Sequence, residues 1–271
     1  MPELPEVENY RVLAEHAALG RRIQAVEAPD AWYLKRGLVA AAAMSALEGR
    51  QLVSARRRGK LLLLDAGLPD AGVRDGEPDV VLGLHFGMSG RLIVDGRAGV
   101  DRLLYASPAE ATRHDRFTLR FADGGWLAMR DVRRLGAVEL DPDEERLGPD
   151  ALTATLADLR AALDGSAVAL KARLLDQSRL AGVGNLIADE VLWRAGLAPG
   201  RPCNSLTANE VRRLHRHLRR GLEDLIERGG SHTGDLQPQR RPGGVCPRDH
   251  AELSRGVVGG RTTWWCPRHQ Y

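Results

Sequence analysis

The chain has 271 residues, of which 43% are hydrophobic and 28% charged, a composition typical of a globular protein with sizeable cores. No apolar run approaches the roughly 20 residues that a membrane helix needs, which argues against a membrane protein. The three cysteines cannot form a disulfide framework, and the first residues lack the layout of a signal peptide. We therefore expect a cytoplasmic, monomeric protein.

The formal net charge of +3 is distributed unevenly. Residues 1–150 carry 21 Lys and Arg against 24 Asp and Glu, whereas residues 151–271 carry 18 against 12. The second part is thus the better candidate for binding a polyanion, although a solvated basic face remains an equal alternative.

The first predicted element is a helix from Pro5 to about Leu19, because apolar residues recur there at helical spacing. Pro5 suits a first helical turn, and Glu6 and Glu8 suit the positive end of the helix dipole. Short runs typical of strands follow, separated by turn residues such as Leu68-Pro69-Asp70. They are RRIQAVEA, RQLVSARRRGKLLLLDAG, DVVLGLHFGMSGRLIVD, RFTLRFADGGWLAMRD and LGAVELD. This pattern predicts an antiparallel sandwich.

After DPDEERLGPD the hydrophobic period changes to that of helices, which predicts a helical domain over 151–230. Its last helix begins with a capping box from Thr207 to Glu210 and ends at Gly229-Gly230. Its predicted core face consists of Val211, Leu214, Leu218, Leu222 and Leu225. The segment SHTGDLQPQRRPGG then resembles a linker before a short C-terminal region.

That C-terminal region carries the strongest metal-binding pattern of the chain. CPRDH and CPRH place a cysteine and a histidine on each of two turns, which suits tetrahedral zinc. We predict one structural Zn²⁺ ion, bound by Cys246, His250, Cys266 and His269. Asp249 is an alternative to His250, although imidazole is the better partner beside thiolates.

The stretch LLDQSRLAGVGNLIADEVLWRAG predicts two helices joined by a glycine turn, the second beginning near Asn185. Gly182 and Gly184 leave backbone N–H groups open to an anion at a helix N-terminus, an arrangement typical of phosphate binding. An ordinary helix–helix turn is the alternative, because the third glycine and the preceding strand of a dinucleotide site are lacking.

The opening MPELPE is a good helix start and also a candidate active site. Removal of Met1 would expose the secondary amine of Pro2. Because an α-amino group titrates near pKa about 7.8 and lysine near about 10.4, the terminal amine is the better nucleophile at neutral pH. Its attack on an aldehyde-level carbon gives an iminium that cannot lose an N–H proton. Glu3 is close enough in sequence to transfer protons in this chemistry.

Taken together, the motifs resemble those of the formamidopyrimidine-DNA glycosylase and endonuclease VIII family along nearly the whole chain. The matching motifs are MPELPEVENY, RRRGKLLLL, LHFGMSGRL, RHDRF, RDVRRLGAVEL, AGVGNLIADEVLWRAG and GGRTTWWC. The resemblance implies an α+β protein that binds damaged double-stranded DNA. Its implied parts are an N-terminal antiparallel β-sandwich with a flanking helix (1–140), a helix–two-turns–helix domain (151–230) and a zinc finger (237–271).

The resemblance also implies roles for individual residues. Pro2 would be the nucleophile at the sugar's anomeric carbon, Glu3 the acid that assists ring opening, and Lys60 and Arg261 would contact phosphate and assist elimination. The implied DNA-binding residues are Met88, His114, Arg133, Leu135, Gly184 and Asn185. Met88, Arg133 and Leu135 would fill the gap left by the everted nucleotide. Met88 as a core residue and Lys60 as a solvated charge remain alternatives.

Three positions depart from the family pattern. His250 and His269 stand where cysteines are commonest, Val132 and Leu135 replace the usual proline and phenylalanine, and the segment 231–245 is short beside the lesion-capping loop of purine-specific members. We therefore predict a bifunctional glycosylase and AP lyase of base-excision repair that prefers oxidised pyrimidines and abasic sites to 8-oxoguanine. An oxidised-purine glycosylase and a catalytically silent DNA binder are the alternatives, and a zinc hydrolase is disfavoured because four protein ligands leave no open position.

Overall fold

The computed structural model describes residues 2–68, 79–100 and 111–271, which form two compact units. The first consists of Pro2 and the described residues of 6–144, and the second of 3–5 and 145–271. Met1, Pro69 and Asp70, which the sequence analysis used, lie outside the described residues. No helix within the described ranges is both long and apolar enough to cross a membrane.

Among its described residues the first unit contains nine strands, helix α2 and all of helix α1 except its first two residues. The helices are α1 (Leu4–Ala17) and α2 (Ala40–Leu47). The strands are β1 (Ile23–Glu27), β2 (Gln51–Arg58), β3 (Leu61–Gly67), β4 (Val80–His85), β5 (Arg91–Val94), β6 (Arg97–Ala98), β7 (Asp115–Phe121), β8 (Trp126–Arg130) and β9 (Ala137–Leu140). They form a five-stranded sheet, β1-β7-β8-β5-β6, and a four-stranded sheet, β2-β3-β4-β9. Every pair is antiparallel, as the sequence pattern predicted.

Both sheets contribute alternate side chains to one apolar core. In the four-stranded sheet Leu62 faces Leu84 across β3 and β4, and both are buried. The five-stranded sheet contributes Phe117 and Leu119 from β7, and α1 adds Tyr10, whose ring lies 4.5 Å from that of Phe86. A period of two along each strand puts one face of each sheet into this shared core.

The second unit contains four helices and a two-stranded hairpin. They are α3 (Leu156–Leu163), α4 (Leu170–Leu174), α5 (Asn185–Ala195), α6 (Ala208–Glu227), β10 (Ser254–Val258) and β11 (Arg261–Trp265). The capping box at Thr207 is present, and the predicted apolar face of α6 is buried. A smaller apolar cluster around Trp193, Leu236 and Trp264 lies beneath the hairpin.

The segment predicted as a linker is folded onto α5. Leu236 is fully buried, and the backbone N–H groups of Asp235 and Leu236 donate to the Glu190 carboxylate at 3.1 and 2.9 Å. Arg240 pairs with Asp189 at 2.8 Å. The composition of this segment gave no sign of this, because two of its contacts use backbone N–H groups and the acceptors are acidic side chains of α5.

Candidate functional site

The Glu3 side chain is fully buried at the N-terminus of α5. Its two carboxylate oxygens accept hydrogen bonds from the backbone N–H groups of Leu186 and Ile187, at 2.9 and 3.1 Å. The first N–H groups of a helix have no partner within the helix, and its dipole favours a negative charge there. Glu3 therefore occupies the position that a capping side chain takes in an ordinary helix.

The glycine turn before α5 makes room for residues 3 and 4. A Cβ atom at Gly184 would lie 2.1 Å from Cδ of Glu3, and one at Gly182 would lie 2.4 Å from Cδ1 of Leu4. Gly182 also has a φ of 111°, which other residues rarely adopt. From the sequence, this turn was expected either to offer the N–H groups at Gly182 and Gly184 to an anion or to be an ordinary helix–helix turn. In the structure, the amides of Leu186 and Ile187, at the start of α5, bind a carboxylate of the chain itself.

Asn185 is the first residue of α5. Its side-chain oxygen Oδ1 is buried, and no hydrogen-bond partner for it lies in the part of the chain that the structure describes. A buried amide oxygen without a partner costs about 1–3 kcal/mol, so it is a position where a ligand or water donor would be stabilising. Pro2, the predicted nucleophile, is buried and directly precedes Glu3.

Three of the predicted DNA-binding residues lie on two neighbouring loops of the first unit. Met88 is half-buried on one loop, and Arg133 and Leu135 are exposed on the other. A Cβ atom at Gly87 would lie 2.3 Å from the Leu135 carbonyl carbon, so the loops touch at this glycine. The structure thus brings Met88, Arg133 and Leu135 into one region of the surface.

Asp131 holds these loops together, and the sequence analysis missed it. This buried carboxylate accepts the Ser89 hydroxyl at 2.5 Å and the N–H groups of Arg133 and Leu135 at 3.1 and 2.9 Å. An aspartate that binds N–H groups two and more residues ahead is a common turn device. The RDVRRLG motif therefore contained a usable signal, because Asp131 stands at the start of the loop.

Lys60 and His114 lie elsewhere in the first unit. Lys60 is half-buried in the turn between β2 and β3. His114 ends a short 3-10 helix, and its carbonyl accepts the Asp131 N–H at 2.9 Å. Desolvation and then the positive charges of Arg113 and Arg116 lower the pKa of His114.

Arg261 begins β11, directly after the Gly259-Gly260 turn, and its side chain is exposed. The hairpin that carries it is fixed by Lys171 of α4, a fully buried residue that the sequence analysis missed. The Lys171 ammonium donates to the Thr262 carbonyl at 3.2 Å and to the Thr263 hydroxyl at 2.8 Å.

Lys171 is neutralised by Asp189 of α5, whose carboxylate lies 2.7 Å away and also accepts the Trp264 N–H at 3.2 Å. Burial lowers the pKa of Lys171, and Asp189 partly offsets that effect. The network joins α4, α5 and the hairpin, so it positions Arg261 without contacting its side chain.

Cys246, Asp249, Cys266 and His269 form a compact group whose ligand atoms all lie within 4.8 Å of one another. Nδ1 of His269 is 2.9 Å from the Asp249 carboxylate and 3.6 Å from the Cys246 sulfur. Nε2 of His269 is 3.3 Å from the Trp193 carbonyl, which orients the ring with Nδ1 inward. Burial raises the pKa of Cys266 to about 11, and the His269 contact lowers that of Asp249.

The group differs from the predicted ligand set at one position. His250 is exposed and lies outside it, and Asp249 takes its place. The reason is the turn: His250 has a left-handed φ of 57°, and its N–H bonds to the Cys246 carbonyl at 3.0 Å. Two thiols, one imidazole and one carboxylate are all ligand types that zinc accepts in a four-coordinate site, so the donor set fits the metal.

Family models match two parts of the chain. The formamidopyrimidine-DNA glycosylase N-terminal domain matches residues 1–138, and the formamidopyrimidine-DNA glycosylase H2TH domain matches residues 147–236. Among curated relatives, the formamidopyrimidine-DNA glycosylase of Paracoccus denitrificans is 37% identical over 98% of this chain and 99% of its own length. That of Thermus thermophilus is also 37% identical, over 100% and 98%.

Solved structures of Lactococcus lactis Fpg are similar over the whole length. A complex with a THF-DNA and an inhibitor has a TM-score of 0.81 and 30% identity and covers 100% of both chains. A complex with DNA that contains FAPY-dG has a TM-score of 0.80 and 30% identity and covers 99% of both. The two matched domains and the full-length relatives agree, and we conclude that the chain belongs to the formamidopyrimidine-DNA glycosylase family of DNA glycosylases and AP lyases.

Proposed function

We propose that the chain excises oxidised bases from damaged DNA by attack of the Pro2 amine and then cuts the strand by β,δ-elimination. The observation that carries the proposal is Glu3, a carboxylate buried at the N-terminus of α5 and adjacent in sequence to Pro2. A carboxylate that a helix terminus holds in one orientation is preorganised for proton transfer.

In this proposal the Pro2 nitrogen forms a bond to the anomeric carbon of a flipped-out nucleotide, and the base leaves with the electrons of the glycosidic bond. Glu3 accepts the proton that the Pro2 nitrogen loses after bonding and passes it to the ring oxygen as the sugar opens, which leaves an iminium. The iminium acidifies the C2′ protons, so loss of one C2′ proton expels the 3′ phosphate by β-elimination. Loss of a second proton, from C4′ of the resulting conjugated iminium, then expels the 5′ phosphate by δ-elimination. Lys60 and Arg261 are proposed to bind these phosphates and to assist the two eliminations.

Reductive trapping tests the nucleophile. Borohydride should trap wild-type protein on an abasic duplex, and a variant with an uncleaved N-terminal extension should not be trapped, because its proline nitrogen is an amide. Pro2→Gly should trap more weakly, since it retains only a primary amine. Glu15→Gln, an exposed position on α1, is the matched control. Equal trapping by the extended variant would exclude Pro2.

For the lesion, we propose oxidised pyrimidines and abasic sites rather than 8-oxoguanine. To cover an everted purine, the loop that joins α6 to the hairpin region would have to be free to move. Here the segment 231–245 is short, and Glu190 and Asp189 fasten it to α5 at Asp235, Leu236 and Arg240. Leu135, 48% exposed, provides no aromatic ring to stack on the opposite base.

Ring-opened purines are the second candidate. The relatives are named formamidopyrimidine-DNA glycosylases, and Lactococcus lactis Fpg has been solved with DNA that contains FAPY-dG. Single-turnover cleavage of three duplexes decides between the candidates. Fastest cleavage of dihydrouracil supports the first, fastest cleavage of FAPY-dG supports the second, and fastest cleavage of 8-oxoguanine contradicts the argument from the short segment.

For DNA binding, we propose that Asn185, Lys60 and Arg261 contact phosphates of the DNA backbone. His114 and Gly184 are proposed to make further contacts with the DNA backbone. Met88, Arg133 and Leu135 are proposed to fill the space of the flipped nucleotide. Phosphate contacts release counterions, so log affinity should fall linearly with log salt, by about 0.9 per contact. Arg261→Gln should weaken binding and reduce this slope, because it removes a cationic contact. Asn185→Ala should weaken binding with little change in the slope, because its amide is neutral, and Arg212→Gln on the exposed face of α6 should not change the slope.

We also propose that the group of Cys246, Asp249, Cys266 and His269 holds one structural Zn²⁺ ion. Zinc at this position would tie the turns at 246–250 and 266–269 together behind the hairpin that carries Arg261. Four protein ligands leave no position for a reacting water, so the metal would have no direct part in the chemistry.

A further inference from the structure

A basic concavity lies in the second unit at the C-terminal end of α5, whereas Gly184 and Asn185 lie at the N-terminal end of that helix. It is an open pocket of about 520 Å³ between α6, the end of α5 and the turn at 246–250. The cationic groups of its wall are Arg194, Arg213, His217 and Arg248. Asp249 and His269 line the rim, and their side chains bond to each other.

The charges of this wall are not neutralised equally. Arg194 is paired with Glu190, Asp224 and Asp235, at 2.7–3.0 Å. Arg213 and Arg248 form no ion pair with any described residue; Arg248 donates to the Arg194 carbonyl at 3.0 Å and stacks over the Trp193 ring. Two guanidinium groups of the lining thus have no acidic partner among the described residues, against one lining acidic side chain, Asp249, which contacts His269.

A buried donor on Arg213 distinguishes this pocket from an ordinary solvated basic surface. Its Nε atom is buried, and no hydrogen-bond acceptor for it lies among residues 2–68, 79–100 and 111–271. A buried donor without a partner is unfavourable by about 1–3 kcal/mol, and a guanidinium donates through Nε and Nη to the two oxygens of a phosphate.

The positive charges around this pocket also act on His217. Burial lowers its pKa, and the charges of Arg216, Arg248, Arg194 and Arg213 lower it further. The basic surface continues along α6 through Arg216 and Arg220, which form no ion pair with described residues. At 1.5 Å per residue, the stripe from Arg213 to Arg220 is about 10 Å long.

We propose that this pocket binds a phosphate group, with Arg213, His217 and Arg248 as its ligands. Its volume exceeds that of one phosphate, and the stripe along α6 would contact neighbouring phosphates of a nucleic-acid backbone. Two sources share this chemistry: a second DNA segment and free phosphate. The site lies outside the proposed catalytic residues, and it does not depend on the identity of the lesion.

The test uses the full-length protein saturated with one equivalent of an abasic-analogue duplex, and it monitors the His217 ring by NMR. Inorganic phosphate should shift the His217 resonances, and Arg213→Gln should weaken this binding at least 10-fold. Arg212→Gln is the matched control, since Arg212 is exposed beside the pocket and bonds to Asn209 instead. Both variants should cleave abasic DNA at the wild-type rate.

A second, undamaged duplex identifies the source. Displacement of phosphate from His217 by that duplex assigns the site to a DNA backbone, and binding of phosphate without displacement assigns it to free phosphate. A His217 signal that responds to neither probe, or a response that Arg213→Gln leaves unchanged, overturns the proposal. Loss of cleavage in a variant that still binds phosphate would concern the catalytic proposal alone.

Discussion

Two buried carboxylates at α5, Glu3 and Asp189, are held in different ways. Glu3 accepts hydrogen bonds from the backbone N–H groups of Leu186 and Ile187. Asp189 is paired with the Lys171 ammonium at 2.7 Å and the Arg240 guanidinium at 2.8 Å. The same helix thus binds one acid through amides at its end and another through cations at its side.

Because of this difference, Glu3 is suited to proton transfer and Asp189 to stabilising the fold. Backbone amides orient a carboxylate through partial charges and do not exchange protons with it at ordinary pH. Asp189 instead lies between two cationic side chains, and its removal would leave them buried without compensation. We therefore expect substitutions at Glu3 to affect mainly the reaction, and substitutions at Asp189 to affect mainly folding.

The largest effect is expected for Glu3→Gln. The amide side chain has the size of glutamate but cannot transfer the proton, so single-turnover cleavage of abasic DNA should fall by about 10²–10⁴-fold. The free energy of unfolding should fall by only about 1 kcal/mol, the value of a helix cap. Cleavage at the wild-type rate, with Glu15→Gln as reference, would remove Glu3 from the mechanism.

Asp189→Asn should have the opposite effects, with a large loss of stability and a smaller effect on the reaction. It leaves the buried Lys171 without its counter-charge, so the free energy of unfolding in urea should fall by about 3–5 kcal/mol. The hairpin that carries Arg261 should also lose protection from hydrogen exchange, because Lys171 and Asp189 join it to α4 and α5.

A double variant, Asp189→Asn with Lys171→Met, is the control for the buried charge. Removing the unpaired ammonium should restore part of the stability that Asp189→Asn loses. If Asp189→Asn costs less than about 1 kcal/mol, which is within the range of an exposed ion pair, the structural assignment is wrong.

Features that arise from periodicity were predictable from the sequence. The spacing of Val211, Leu214 and Leu218 gave the buried face of α6, and Thr207 and Glu210 gave its start. The runs typical of strands gave the strands of both sheets except β6 (Arg97–Ala98), which lay outside them. Helix α2, AAAAMSAL, was missed because its run of alanines shows no polar face from which a period could be recognised.

Features that arise from long-range polar contacts were not predictable in this way. Lys171 looks like an exposed charge in a short basic helix, and only the hairpin about 90 residues later buries it. Glu190 gives no sequence sign that it anchors 235–236. The choice of Asp249 over His250 depends on a left-handed turn, which composition does not specify.

Asp249 extends the comparison to a third acid, one placed for a metal. Asp249→Asn should weaken zinc binding about 10–100-fold, because a neutral amide oxygen replaces an anionic ligand; the range is that of losses on weakening metal-site contacts. His250→Ala should retain zinc at about one ion per chain, measured by metal analysis with a competing chelator. If Asp249→Asn retained zinc and His250→Ala lost it, the ligand set predicted from the sequence would be restored.

The smallest effect concerns Glu210, an acid that combines both modes of binding. Its carboxylate pairs with Arg201 at 2.6 Å and accepts the Thr207 N–H at 2.8 Å, and Arg201 is the main cause that lowers its pKa to about 2. A pKa below that of the unfolded chain, 4.5, means that the ionised form stabilises the fold. This stability is present above pH about 4.5 and is lost as the pH falls toward about 2.

Glu210→Gln should therefore lower the free energy of unfolding by about 1–2 kcal/mol at pH 7, and the difference from wild type should shrink in that acid range. A difference that is the same at pH 7 and pH 3, measured by urea unfolding, would contradict the role of the charge and leave only the neutral cap.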